Sequence, residues 1–265
     1  MKEQDGMKVR NRTFELEPEV LAENWNDGDI CLTHTFSVAS IILELGELYL
    51  VEFTAALLPR LDDPGVRARA KIFAAQESNH RRMHARYNAL LAQAGFRLGP
   101  LYRAVALFIA ASRRVLPERV MLAYLVSVEY LAALTAEWLF AGQLGRAALS
   151  GDTEVARFWR WHLAEEVEHR QVLHETYRHL GGGSAMLAFS TWSLATIFYL
   201  FINAGMIWLS LTRHGPSWAL LRSLFHYNVG RSANCFRLPL KLLTATWRRF
   251  DPAYVCRGVA IEPHL

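Results

Sequence analysis

Helical punctuation recurs along the chain and strand patterning does not. A first apolar helix is predicted from about Thr33 until Pro59 ends it. Asp63 followed by Pro64 reads as an N-cap with proline at the first helical position, and the apolar positions then continue to Gly95. A shorter connecting helix is predicted near Tyr102 to Val115. Pro117 opens the next long helix, to about Gly142. Asp152, with Glu154 in the first turn, opens another that stops at Gly181 to Gly183, where left-handed backbone costs little. Four segments of roughly 25 to 30 residues are about twice the average helix length and predict an antiparallel bundle.

Ala185 to Leu211 runs for 27 residues without a formal charge. Its length would let it span a bilayer. Ser190, Thr191, Ser193, Thr196 and Asn203 dilute its apolar character, so a helix buried in or against the bundle is the favoured expectation, with membrane contact as the alternative. The chain therefore divides into an N-terminal extension (1–30), a helical bundle (31–183) and a C-terminal region (184–265) in which the apolar helix and basic helices pack on the bundle.

Composition narrows the function. A chain of 265 residues with 52% hydrophobic and 20% charged positions fills a sizeable core, which excludes disorder for most of its length. Cys31, Cys235 and Cys256 are far apart, with no Cys-x-x-Cys, so neither a disulfide framework nor a thiolate zinc site is expected and the chain reads as cytoplasmic. Met1 to Asn26 is polar and acidic, so no cleavable signal peptide is expected. The net charge of +4 conceals a local balance of +6 after Gly183, in a basic, aromatic-rich tail suited to an anionic surface or ligand. Phosphate-binding glycine loops, a Gly-x-Ser-x-Gly elbow and nucleic-acid modules are absent from the sequence, so nucleic acid is not an expected partner.

The candidate chemistry lies in the long helices. Glu77 and His80, and again Glu166 and His169, form Glu-x-x-His pairs whose members share a helical face and can present an oxygen and a nitrogen to one metal. Chance alone supplies about one such pair in a chain of this composition, so placement decides the matter. Glu47 and Glu129 each sit in an otherwise apolar stretch of the two remaining long helices. An ionised, unpaired carboxylate there would cost several kcal/mol, so a positive partner should sit opposite. In chain order the helices offer Glu, Glu-x-x-His, Glu and Glu-x-x-His, the ligand pattern of ferritin-like di-metal carboxylate bundles. Oxygen and imidazole donors favour iron or manganese over zinc.

His162, four residues before Glu166, shares that face and is a candidate third histidine ligand, with an outer or solvent-facing role as the alternative. His84 repeats the spacing after His80 and is expected as an outer hydrogen-bond partner. Glu44 competes with Glu47 as the first-helix ligand, and Glu165 and Tyr130 are further outer candidates. Glu168 is expected on another face as a solvated charge. His174 to His179 superficially suggests a zinc-protease motif, but its second histidine falls one position too late.

At these residues the chain resembles a bacterial family of predicted metal-dependent hydrolases placed in the ferritin-like group. The matching stretches are Leu45-Gly-Glu-Leu-Tyr49, Phe73-Ala-Ala-Gln-Glu-Ser-Asn-His80 with His84 and Asn88, Val128-Glu-Tyr130 with Thr135, and Trp161-His-Leu-Ala-Glu-Glu-Val-Glu-His169. Tyr130 stands where the family pattern has a histidine, and Asp251-Pro252 where it has His-Pro. The ligand set also resembles that of the di-iron arylamine N-oxygenases, in which a histidine four residues before the last Glu-x-x-His joins the site; His162 occupies that position.

The resemblance implies an all-α, ferritin-like four-helix bundle with additional C-terminal helices. Its two metal ions, expected as iron, would be held by Glu47, Glu77, His80, Glu129, His162, Glu166 and His169. The leading expectation is dioxygen activation for oxidation of a small hydrophobic or aromatic substrate, which also calls for an electron donor. Metal-assisted hydrolysis is the alternative, and a non-catalytic metal-binding or membrane-associated protein the third reading. A peripheral membrane contact and a homodimer complete the expected partners.

Overall fold

The computed structural model describes residues 7–141, 149, 151–169 and 171–229. The basic tail from Arg231 to Arg257, Asp251-Pro252, Cys235, Cys256 and the helix end expected at Gly142 lie outside the described residues. Among those described there are helices and no strands, and the chain is an all-α helical bundle.

A short helix, α1 (Pro18–Ala22), precedes α2 (Ile30–Leu57), whose N-terminus is capped by Asp29 accepting from the Leu32 amide at 2.9 Å. Pro59 lies in the 3₁₀ turn Leu58–Arg60 that ends it. Asp63 caps α3 (Pro64–Gln93) by accepting from the Gly65 and Val66 amides at 2.7 and 2.9 Å, and those bonds hold its carboxyl below the usual range. Gly95, at φ 90°, turns the chain into α4 (Gly99–Val115), and α5 (Glu118–Ala141) follows Pro117.

The fourth long helix departs from expectation. It is divided into α6 (Glu154–His169) and α7 (Val172–His179). The division lets α7 lay Leu173 and Tyr177 against Phe73 and Leu50 in a core cluster separate from the one α6 joins. Last come α8 (Ser184–His214) and α9 (Trp218–Asn228), the latter capped by Ser217.

Helix α3 packs along α2, and α5 packs against α6 and α7. Two apolar layers fill this bundle. One gathers Ile41, Met83, Tyr87, Tyr130, Phe158 and Trp159; the other gathers Leu50, Phe73, Leu122, Val126, Val172 and Leu173. On each of the four helical strands of the bundle the candidate ligands fall between these layers, which makes the site a polar slab clamped by hydrocarbon.

Helix α8 lies across α2 and α5. The approach to α2 is close enough that a Cβ at Gly205 would meet both Val38 methyls at 2.9 Å. The helix buries Leu187, Leu194, Met206 and Leu209 together with hydroxyls, and its outer face carries large apolar side chains as well. Ser190, Thr191 and Ser210 are buried, while Phe189, Leu200, Ile207 and Leu211 are exposed. The hydroxyls face the bundle, with Thr191 bonded to Ser127 at 2.9 Å, Ser193 to Tyr124 at 2.8 Å and Ser210 to His34 at 3.0 Å. Helices α5 and α8 are both long and apolar enough to cross a membrane, α5 being the more buried of the two.

Candidate metal centre

Seven side chains converge in the slab. Glu47 comes from α2, Glu77 and His80 from α3, Glu129 from α5, and His162, Glu166 and His169 from α6; all are buried. Spacing and helix pairing together bring them to one place. Donor atoms of Glu47, His80, His162 and Glu166 lie within 4.8 Å of one another, as do those of Glu77, His80, Glu166 and His169. The two groups share His80 and Glu166, so they overlap as two neighbouring places where a cation could be held. Glu129 stands beside the second, its Oε2 3.5 Å from His169 Nδ1. His162 Nε2 is 3.4 Å from Glu166 Oε1.

The donors lack ordinary partners. Both carboxylate oxygens of Glu47, Glu77 Oε1, Glu129 Oε2, and the Nδ1 atoms of His80 and His169 are buried without a hydrogen bond. His169 Nδ1 and Glu77 Oε1 approach to 2.6 Å without aligning as one. Buried polar atoms are nearly always satisfied, and a cluster of orphans of this kind fits a divalent cation as their partner.

The outer nitrogens of two histidines are, by contrast, fixed. His80 Nε2 donates to Glu165 at 2.9 Å, and His169 Nε2 donates to Gln76 Oε1 at 3.1 Å. Each outer bond holds a proton on Nε2, so that once the ring is neutral its Nδ1 lone pair faces the cluster, the tautomer a metal ligand requires.

Electrostatics tell the same story. Burial, then repulsion from Glu77, pushes the Glu47 carboxyl well above its usual range, and burial with Glu166 and Glu77 pushes Glu129 up to about 8. Burial opposes charge on His80, but Glu165 and Glu166 outweigh it and push its pKa up to about 10; Glu77 and its neighbours do the same for His169. The same imidazoles hold Glu166 well below the usual range against the effect of burial. Burial and the neighbouring His80 push His162 down to about 3. Without metal, protons on His80 and His169 supply the positive charge that the carboxylates demand.

The remaining candidates take other places. His84 shares a hydrogen bond with Ser40 at 2.9 Å through Nδ1 and turns Nε2 toward Glu47 Oε1 at 3.7 Å, so it reaches the edge of the cluster. Glu44 is held by Asn88 at 2.8 Å and by Tyr102, and is not in either donor group. Tyr130 is buried in the apolar layer with Phe158 and Trp161. Glu165 is an outer partner of His80. Glu168 corrects the expectation of a solvated charge: its side chain is 14% exposed and accepts from Arg10 at 2.8 and 2.9 Å and from Gln76 at 3.1 Å.

Arg10 and Gln76 were not among the residues the sequence singled out. Gln76 adjoins Glu77 inside a quoted motif, but nothing in its spacing marks it; Arg10 meets partners about 155 residues away.

The sequence profile of a family described as "Predicted metal-dependent hydrolase" matches residues 8–255. No curated protein and no solved structure matches the chain.

Proposed function

The chain belongs to the family of predicted metal-dependent hydrolases, and from that membership we propose that it hydrolyses a small, largely apolar substrate at a pair of metal ions held between α2, α3, α5 and α6. The observation that carries this reading is the set of buried, unpartnered carboxylate and imidazole atoms in two overlapping groups. Glu47 and His162 would hold one ion and Glu77, Glu129 and His169 the other; Glu166 lies within reach of both, and His80, with Nδ1 as its free nitrogen, would serve one of them. Bound divalent ions supply Lewis acidity at two neighbouring points and lower the pKa of water there. The donor set, oxygen and imidazole without thiolate, favours manganese or iron over zinc.

The protein's own groups do the rest. Glu165 and Gln76 keep the two histidine rings turned inward. Phe73 and Trp161, packed edge-on against His169 and His80 with ring centroids at 4.9 Å, exclude water from their flanks. His84, held neutral by burial and by His162, offers Nε2 at the margin of the cluster as a polar contact for substrate.

A second reading is dioxygen activation on a ferritin-like di-iron site with an external electron donor. Its specific support is His162, a third imidazole against Glu166 in the position expected from the arylamine N-oxygenases. One experiment separates the two. The purified chain is loaded anaerobically with Mn2+ or Zn2+ and assayed on aryl and alkyl esters and phosphoesters. In parallel, the Fe2+-loaded chain is mixed with oxygen and oxygen consumption followed. Metal-dependent anaerobic hydrolysis that Glu166→Ala abolishes is the expected result. Oxygen consumption by the ferrous chain without anaerobic hydrolysis would overturn it in favour of the second reading.

A further inference from the structure

The extended segment before α1 reaches the back of the metal centre. Phe14 is buried against Phe158 and Trp161, with ring centroids 5.8 and 5.5 Å apart, and anchors the segment. Gln76 donates to the Lys8 carbonyl at 3.2 Å and Asn79 to that of Arg10 at 3.4 Å. Between these fixed points the Arg10 side chain, 13% exposed, turns inward.

Its guanidinium closes an unbroken chain of hydrogen bonds. His80 Nε2 donates to Glu165 Oε2 at 2.9 Å, and Arg10 Nη1 donates to Glu165 Oε1 at 3.1 Å. Arg10 grips Glu168 through both Nη1 and Nη2, at 2.8 and 2.9 Å. Glu168 accepts from Gln76 at 3.1 Å, and Gln76 accepts from His169 Nε2 at 3.1 Å. Glu165 and Glu168 stand three residues apart on α6, both turned inward, and Arg10 pairs with both. A planar fork can serve two carboxylates at once, which a point charge cannot do with the same geometry.

We propose that Arg10 is a positioning residue of the metal centre, a keystone that fixes the orientation and tautomer of His80 and His169 together from the N-terminal segment. This rests on the reading of those histidines as metal ligands. Removing Arg10 leaves Glu165 and Glu168 facing each other without their shared cation. The outer bonds of both rings then loosen together, although no ligand has been touched.

The test is Mn2+ binding by calorimetry to the full chain and to Arg10→Ala, Arg10→Lys and Phe14→Leu, with thermal unfolding of each metal-free protein. Losses of outer partners weaken metal sites by about 10- to 100-fold. That loss is expected for Arg10→Ala, partial rescue for Arg10→Lys, and near-native affinity for Phe14→Leu, which loosens the segment without cutting the polar chain. Should Arg10→Ala fail to fold, Glu168→Gln replaces it. As a readout of orientation, nitrogen NMR of the Zn2+-loaded protein should show two slowly exchanging Nε2 protons, and both should exchange faster in the variant. Affinity within about twofold of wild type and unchanged exchange would overturn the proposal. A folded wild-type chain that binds no Mn2+ or Zn2+ would instead overturn the metal reading on which it rests.

A second inference stands on α8 and α9 alone. With Leu187, Leu194, Met206 and Leu209 inward beside Ser190, Thr191 and Ser210, and with Phe189, Leu200, Ile207 and Leu211 outward, α8 carries large apolar side chains on both faces, as a helix between a core and a hydrocarbon medium does. Trp218 and Phe225 extend the exposed apolar surface onto α9. Residues 184–229 contain no Asp or Glu, and Arg213 and Arg222 are the formal charges there. We infer that this face seats on an anionic lipid surface, apolar side chains inserted and arginines at the headgroups. Co-sedimentation with phosphatidylserine-containing vesicles at low salt is expected, with weaker binding to pure phosphatidylcholine and loss of binding in Leu200→Ser/Phe225→Ser. Failure to sediment with either vesicle overturns the inference. So does a dimer, measured by light scattering, that the double variant converts to monomer, because the face would then belong to a second copy.

Discussion

The slab of ligands inside the bundle and the interface beneath α8 both bury polar side chains, and they resolve the cost in opposite ways. Beneath α8 most polar groups answer one another: Ser127 bonds Thr191, Tyr124 bonds Ser193 and His34 bonds Ser210, all within 3.0 Å, although the buried Ser190 hydroxyl has no such partner. In the slab, carboxylates and imidazoles crowd together and leave six donor atoms on Glu47, Glu77, Glu129, His80 and His169 without hydrogen bonds. Satisfied polar groups lock helices; unsatisfied ones of complementary donor type ask for an ion. Burial alone would not have distinguished the two regions.

Breaking the slab has the largest effect. Glu166 belongs to both donor groups, so Glu166→Ala should abolish tight binding at both positions, read as loss of the high-affinity phase in a Mn2+ titration. Next comes the tight contact of α8. Gly205→Val forces side-chain atoms into Val38 and should destabilise the fold by about 1–3 kcal/mol in urea unfolding.

A pair of substitutions then sharpens the contrast by sign. Glu47 has its pKa raised by burial, so near neutral pH its proton, or its unmet charge, costs the metal-free fold; Glu47→Gln should stabilise the metal-free chain by about 1 kcal/mol while weakening metal binding. Thr191→Val removes a satisfied hydroxyl and should cost about 1 kcal/mol. Equal signs for the two would contradict the comparison.

The smallest effect concerns acid. Burial, then His214 and Arg213, push His34 down to about 3, below its ordinary value of about 6.5. Between those values the unfolded chain binds a proton that the folded chain refuses, so stability falls as pH drops. The ring faces Ser210, Phe96 and the stacked His214. By pH 5.5 this linkage removes roughly 1 kcal/mol. The stability gap between wild type and His34→Asn should narrow by that amount on going from pH 7.5 to 5.5.

Much of this architecture is legible in the residues. Asp63-Pro64, Pro117 and Gly95 mark helix ends because capping and φ restriction are local. Glu47 and Glu129 announce a buried charge because their neighbours are apolar. Local pattern does not show where α6 ends at His169 and α7 resumes at Val172, since that division serves packing against α3 and α5. Nor does it show that Glu168 turns inward, because its partner Arg10 lies 158 residues away. The uncharged stretch of α8 reads as an apolar run diluted by hydroxyls, and which of its positions are buried is settled only once α2 and α5 define which side is inside.

Elemental analysis of the full chain, purified from cells grown with manganese, iron and zinc supplements, tests the central claim most directly. The arrangement of donors predicts about two metal ions per folded chain. A folded chain that carries none from any of the three media would contradict it.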